Sequence, residues 1–265
     1  MIAWMLAGCM TLDFAVFPAE TVDAYVLDFP DTVPASAVEE VRFTTPDGIA
    51  LAGVWLHQDP PAPPMIFFHG YTANLDAYTD RMAYYYGWGR YDVFCFDFRG
   101  YGTSDGVADE AGVLETDGVA AADYVARATG TPLDDIPWIT LSLGASVAAH
   151  SNDERLAQAV VYESMYASAD DVLDDSVGMD LPQGWFLEGD YDNVEAISKV
   201  QSPVFLIHGT EDTFIPPTHV GLLYDAAPDN PKQLWQPEGV GHSDIIDVLP
   251  DEYRDRVLAF LDAQP

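Results

Sequence analysis

Three side chains in this 265-residue chain have the types needed to move a proton to and from a hydroxyl: Ser142, Asp212 and His242. Ser142 stands in Trp138-Ile-Thr-Leu-Ser-Leu-Gly-Ala-Ser-Val-Ala148, where an apolar run gives way to a helix of small residues. Small neighbours let a strand turn sharply into a helix, which displays the hydroxyl at the sheet's carboxyl edge and aims helix N-terminal N–H groups at an oxyanion. The G-x-S-x-G form is met at Ser142 and Gly144, but Thr140 stands where the first glycine belongs. Asp212 lies in Pro203-Val-Phe-Leu-Ile-His-Gly-Thr-Glu-Asp-Thr-Phe-Ile-Pro216, a strand followed by a loop, and His242 in Glu238-Gly-Val-Gly-His-Ser-Asp244. A serine hydroxyl needs a base to take its proton, and an imidazole needs a carboxylate to fix its tautomer. Glu163 and Glu211 are rival acids.

These residues can meet only if parallel strands bring their C-terminal ends to one edge. From residue 38 onward, apolar β-rich runs alternate with helical patterns, which predicts an α/β fold with a largely parallel sheet. Val38–Thr45 and Ile49–Leu56 flank Pro46-Asp47-Gly48 and read as an antiparallel hairpin. Six further strands are expected at Pro64–Phe68, Tyr91–Phe98, Pro137–Leu141, Ala157–Tyr162, Pro203–Ile207 and Lys232–Trp235, making a sheet of eight. Helices are expected at Ala73–Tyr86, Ala111–Ala128, Leu143–His150, Pro217–Ala227 and Glu252–Asp262. The alternation runs unbroken to the C-terminus and predicts one domain over 35–265. A stretch at about 164–201, with Tyr166, Met179, Trp185 and Phe186, interrupts it and reads as a small cover over the site.

Two more motifs complete a resemblance. Phe68-His-Gly-Tyr-Thr-Ala-Asn74 follows the third strand, and Asp97-Phe-Arg-Gly-Tyr-Gly-Thr-Ser-Asp-Gly106 follows the fourth. With the serine, acid and histidine in that order, the body at about 38–263 resembles the α/β-hydrolase superfamily, and within it a small-capped bacterial branch that includes predicted lipoproteins. The resemblance implies Ser142 as nucleophile, His242 as general base and Asp212 as orienting acid, the last because it matches an Asp-x-x-Ile-Pro pattern. It further implies an oxyanion hole from the backbone N–H groups of Leu143 and Tyr71, hydrolysis of a small-molecule ester through an acyl-enzyme, and no cofactor. A peptidase or amidase, or a binding module that kept the fold, is the alternative. His69 is then expected to be structural, His208 a packed histidine, and Arg99 a loop-ordering ion pair. His57, His150 and His219 lack ligand spacing, so no metal site is expected.

Composition narrows the setting. With 44 acidic and 10 basic side chains the formal charge is -34, which would repel a phosphate backbone and excludes a nucleic-acid partner. Asp outnumbers Glu by 32 to 12, and the only lysines are Lys199 and Lys232. Such a field disfavours anionic substrates and is best tolerated where salt screens it. Of two cysteines, Cys95 sits in an apolar strand, whereas Cys9 ends Leu6-Ala7-Gly8-Cys9, which resembles a bacterial lipobox. That reading makes residues 1–34 a lipidation segment and tether, and implies membrane attachment at the cell envelope through Cys9. The apolar stretch before Cys9 is shorter than a full signal peptide and lacks basic residues.

Overall fold

The computed structural model describes residues 20–108, 111–168 and 192–264. Cys9, and Met179, Trp185 and Phe186 of the expected cover, lie outside the described residues. The architecture is a single eight-stranded sheet in the order β1-β2-β4-β3-β5-β6-β7-β8. Its strands are β1 Val38–Thr44, β2 Ala50–Leu56, β3 Pro64–Phe68, β4 Asp92–Phe96, β5 Trp138–Leu141, β6 Val160–Glu163, β7 Val204–Ile207 and β8 Lys232–Trp235. β1 and β2 pair antiparallel, as do β2 and β4, and every pairing from β4 through β8 is parallel. The turn between β1 and β2 closes because Gly48 adopts φ 94° and its N–H donates to the Thr45 carbonyl.

Among the described residues the α-helices are α1 Thr79–Tyr86, α2 Ala111–Thr129, α3 Leu143–Glu154, α4 Asn193–Lys199, α5 Thr218–Ala226, α6 Ile245–Val248 and α7 Pro250–Asp262. A short 3-10 turn, Leu75–Tyr78, leads into α1, its Asn74 side chain accepting from the Asp76 N–H. Neither α4 nor α6 is expected from the sequence. α4 opens on Asp192, whose carboxylate caps the Glu195 N–H.

Helices cover both faces of the sheet, so the inner strands are continuous apolar runs rather than alternating ones. Successive side chains point to opposite faces. Phe94 and Phe96 therefore join Phe68, Trp138 and Tyr162 in one core, while Val93 and Cys95 join Phe67, Ile139 and Val161 in the other. The second core is closed by Met82 and Tyr85 of α1 and by Tyr253, Val257 and Phe260 of α7. Full burial of such a side chain contributes about 1.5–3 kcal/mol, so the two layers hold the sheet rigid beneath its loops.

Residues 20–34, expected as part of a tether, are fastened to this body. Thr21 bridges to Gly102, the Tyr25 hydroxyl donates to Asp97 at 2.5 Å, and the Val26 N–H donates to Asp76 at 2.8 Å. The parallel strands β3, β4, β5, β7 and β8 end at Phe68, Phe96, Leu141, Ile207 and Trp235, and the motif residues follow each end.

Candidate active site

β5 ends at Leu141, and α3 begins at Leu143. The one residue between them, Ser142, is forced to φ 52° and ψ -113°. A non-glycine residue in that region costs about 1–3 kcal/mol and persists only where its surroundings hold it. Here the Ser142 N–H donates to the Glu163 carbonyl at 2.9 Å, and its carbonyl accepts from Ala145. Gly144 lets α3 start this close to β3, since a Cβ there would lie 2.2 Å from the Phe68 carbonyl oxygen and 2.5 Å from that of His69. Thr140, in place of the first glycine, is still within β5, where its hydroxyl donates to the Val161 carbonyl at 2.9 Å. The strand therefore accepts a β-branched residue without loss of the turn.

His242 arrives in the loop after β8. Its Nε2 lies 3.0 Å from Ser142 Oγ and its Nδ1 2.8 Å from Asp212 Oδ2. An ionised Asp212 accepts only, so the Nδ1 carries the proton and the Nε2 lone pair faces the serine hydroxyl. Asp212 is buried and otherwise saturated. Its Oδ1 accepts from the Phe214 and Ile215 N–H groups at 2.9 and 2.8 Å. Burial alone would raise this carboxyl, but hydrogen bonds from His208 and His242, electrostatic attraction to the His242 ring and the Ile215 amide together hold it well below the usual carboxylate range. The loops after β7 and β8 meet closely because Gly209 has no Cβ, which would lie 2.1 Å from the Val240 carbonyl oxygen.

The structure thus brings Ser142, His242 and Asp212 into one line and leaves the rival acids elsewhere. Glu163 pairs with Arg81 at 2.7 Å, and Glu211 is exposed. His208 is buried as expected, yet it is more than packing: its Nε2 lies 3.2 Å from Asp212 Oδ2 and 2.9 Å from the Ile215 carbonyl. Its place four residues before Asp212 was the available signal. His69 is fully buried, with Nδ1 2.6 Å from the Gly70 carbonyl and Nε2 3.1 Å from Asp97. Asp97 also takes the Leu75 N–H at 3.1 Å, so it anchors the loop that carries Tyr71. Arg99 pairs with Asp117 at 2.7 Å and Asp47 at 2.9 Å, and so ties its loop to α2 and to the first hairpin.

Ser142 and His242 open into a pocket of about 280 Å³, whose walls include Tyr71, Tyr78, Arg81 and Ile246 and whose exposed rim carries Asp80 and Asp247. Phe214 covers His242 edge-on and stacks on Tyr71 at 5.7 Å. Leu143 is the first residue of α3, so its N–H lies among the first-turn donors with no acceptor inside the helix. Among the described residues, neither that N–H nor that of Tyr71 is taken by a protein acceptor. A hydroxyl, an imidazole and a carboxylate at these spacings can pass a proton from the serine to the histidine. Among the described residues, no three His, Cys, Asp or Glu side chains converge as a metal site.

Comparison with known proteins bears on the fold. A family model described as the alpha/beta hydrolase fold matches residues 63–150. The protein YfhR of Escherichia coli K12 is 27% identical over 236 residues, covering 85% of this chain and 81% of that protein. Alpha/beta hydrolase domain-containing protein 17C of Xenopus tropicalis is 29% identical over 229 residues, covering 85% of this chain and 70% of that one. Among solved structures, the Pyrococcus furiosus esterase Pf2001 superposes with a TM-score of 0.75 at 25% identity, covering 94% of this chain and 97% of its own. The chain has the α/β-hydrolase fold, and the family model and its relatives support its membership of the α/β-hydrolase superfamily.

Proposed function

We propose that the chain is a serine hydrolase that cleaves carboxylic esters through an acyl-enzyme. The observation that carries this reading is the unbroken relay from Ser142 Oγ through His242 to Asp212, at 3.0 and 2.8 Å. Ser142 Oγ attacks the ester carbonyl while His242 Nε2 takes its proton. The oxyanion is received by the N–H groups of Leu143 and Tyr71, donors of a kind typically worth about 3–4 kcal/mol each in the transition state. The tetrahedral intermediate expels the alcohol, which leaves with the proton returned by His242. Water then repeats the sequence on the acyl-enzyme, releasing the acid and restoring Ser142. Asp212 stays ionised throughout and stabilises the imidazolium that forms twice in the cycle.

The likeness to the Pyrococcus esterase supports ester over amide as substrate class. The pocket, of about 280 Å³ and partly apolar, suits small or medium acyl groups. Wild type should hydrolyse p-nitrophenyl esters and lose that activity in Ser142→Ala. Faster turnover of aminoacyl amides than of matched esters would make it a peptidase, and no turnover of either would leave a binding module. The lipobox reading of Cys9 belongs to the same proposal, as it would place the enzyme at a membrane with access to lipid-derived esters. Incorporation of labelled palmitate that survives in Cys9→Ser would refute it.

A further inference from the structure

We infer that Arg81, held by Glu163, is a positioning residue: it fixes the carbonyl of Ser243 and with it the loop that presents His242 to Ser142. The inference rests on the proposed hydrolase reading of these two residues. Arg81 projects from α1 with its side chain 6% exposed, against a Glu163 side chain that is 3% exposed. Its Nη1 donates to Glu163 Oε2 at 2.7 Å, and its Nη2 to the Ser243 carbonyl at 2.7 Å. Burial would lower the guanidinium, but the Glu163 charge outweighs it and keeps the group protonated.

The end of β6 serves as a common reference for both reacting side chains. The Glu163 carbonyl accepts the Ser142 N–H at 2.9 Å. The next residue, Ser164, sits at φ 50°, and its hydroxyl donates to the His242 carbonyl at 2.5 Å. Consecutive carbonyls of the histidine loop, at 242 and 243, are therefore held by donors anchored at 163 and 164. A planar guanidinium can reach the carboxylate and the loop carbonyl at once, whereas an ammonium has no such fixed fork. Stability alone is a weak reason for the pair, because buried ion pairs are often replaced by apolar residues without loss. Glu163 Oε1 moreover has no hydrogen-bond partner among the described residues. What the pair adds is the bond to Ser243.

The experiment separates these roles. Arg81→Met strands a buried carboxylate, so it should lower Tm and kcat together. Adding Glu163→Leu removes that charge and should bring Tm back, while kcat on a p-nitrophenyl ester stays down by about 30- to 100-fold at nearly constant KM, as expected of a base displaced by a fraction of an ångström. Recovery of kcat along with Tm would overturn the inference. Should the double variant not fold, Arg81→Lys keeps the charge toward Glu163 and should lose roughly tenfold in kcat with Tm little changed; wild-type kcat in that variant would refute the role. A readout independent of turnover is the low-field proton NMR resonance of His242 Nδ1–H on Asp212. It should be sharp in wild type and broadened in the double variant, and an unchanged line would overturn the role even if wild type proved inactive toward esters. Inactivity of wild type itself would sink the hydrolase reading instead.

Discussion

Replacing Asp212 by Asn tests the electrostatic logic of the site with little change of shape. Asp212 is buried, and its Oδ1 takes the Phe214 and Ile215 N–H groups at 2.9 and 2.8 Å. The Asn oxygen can keep both of those bonds, so the loop after β7 should stay folded. The amide NH2 then takes the place of Oδ2, which faces His242 Nδ1 at 2.8 Å and His208 Nε2 at 3.2 Å. An amide donating to His242 Nδ1 forces the ring proton onto Nε2, where it meets the Ser142 hydroxyl and leaves no lone pair to receive its proton. The stabilisation of the imidazolium is lost as well. The expected fall in kcat is about 10³- to 10⁴-fold, equivalent to about 4–5.5 kcal/mol of barrier at about 1.36 kcal/mol per tenfold. His208 also faces a donor in place of an acceptor, but its bond to the Ile215 carbonyl remains available, so the loss of stability should stay near about 1–2 kcal/mol. Steady-state kinetics on p-nitrophenyl esters, read beside thermal melts, measures both. A variant with kcat within about tenfold of wild type and an intact fold would refute Asp212 as the acid.

Further outcomes follow from the same geometry. Activity should fall on acidification, because an imidazolium has no lone pair to take the serine proton, and a kcat/KM profile that stays flat into the acid range would argue against His242 as base. The Asp212 carboxyl titrates below its unfolded counterpart, so its contribution to stability is present above the ordinary carboxylate range and is lost as pH falls through its folded value; chemical denaturation of wild type and Asp212→Asn should converge at acid pH. Gly144→Ala puts a Cβ 2.2 Å from the Phe68 carbonyl oxygen and should cost at least about 1–3 kcal/mol with loss of activity, checked by melts and ester turnover. Asp80 and Asp247 stand at the pocket rim of a chain with formal charge -34, so Asp80→Asn with Asp247→Asn should raise kcat/KM for a succinyl ester relative to a butyryl ester by about two- to fivefold at low salt. Equal ratios before and after would show that the rim charges do not select substrate. Tm should rise from low to molar NaCl if self-repulsion among the carboxylates weakens the fold.

The sheet was legible because its inner strands are buried on both faces and so appear as short apolar runs such as Pro64–Phe68 and Val204–Ile207. The β6 strand shows the limit of that signal. The apolar pattern begins at Ala157, but the strand begins at Val160, because the Ala157 N–H is taken by the Ser202 hydroxyl outside the ladder. Helix α4 is seven residues long and α6 four, too short for a 3.6-residue period to emerge against an Asp-rich background. Ser142, Asp212 and His242 could be found because each follows a strand end, and parallel topology turns that position into proximity. Thr140 looked like a defect only because the motif assigns its position to the turn, whereas the residue belongs to the strand. Arg81 and Glu163 are 82 positions apart, and nothing local marks either as a partner. Such pairs exist only once the fold has brought α1 against the end of β6.

Fluorophosphonate labelling followed by peptide mass spectrometry reads the reactivity of Ser142 itself, since the reagent needs a serine activated by its base and an oxyanion site, and not a substrate preference. A single adduct is expected on the peptide that holds Ser142, absent from Ser142→Ala and strongly slowed in His242→Ala. No adduct on wild type, or an adduct on another serine, would contradict it.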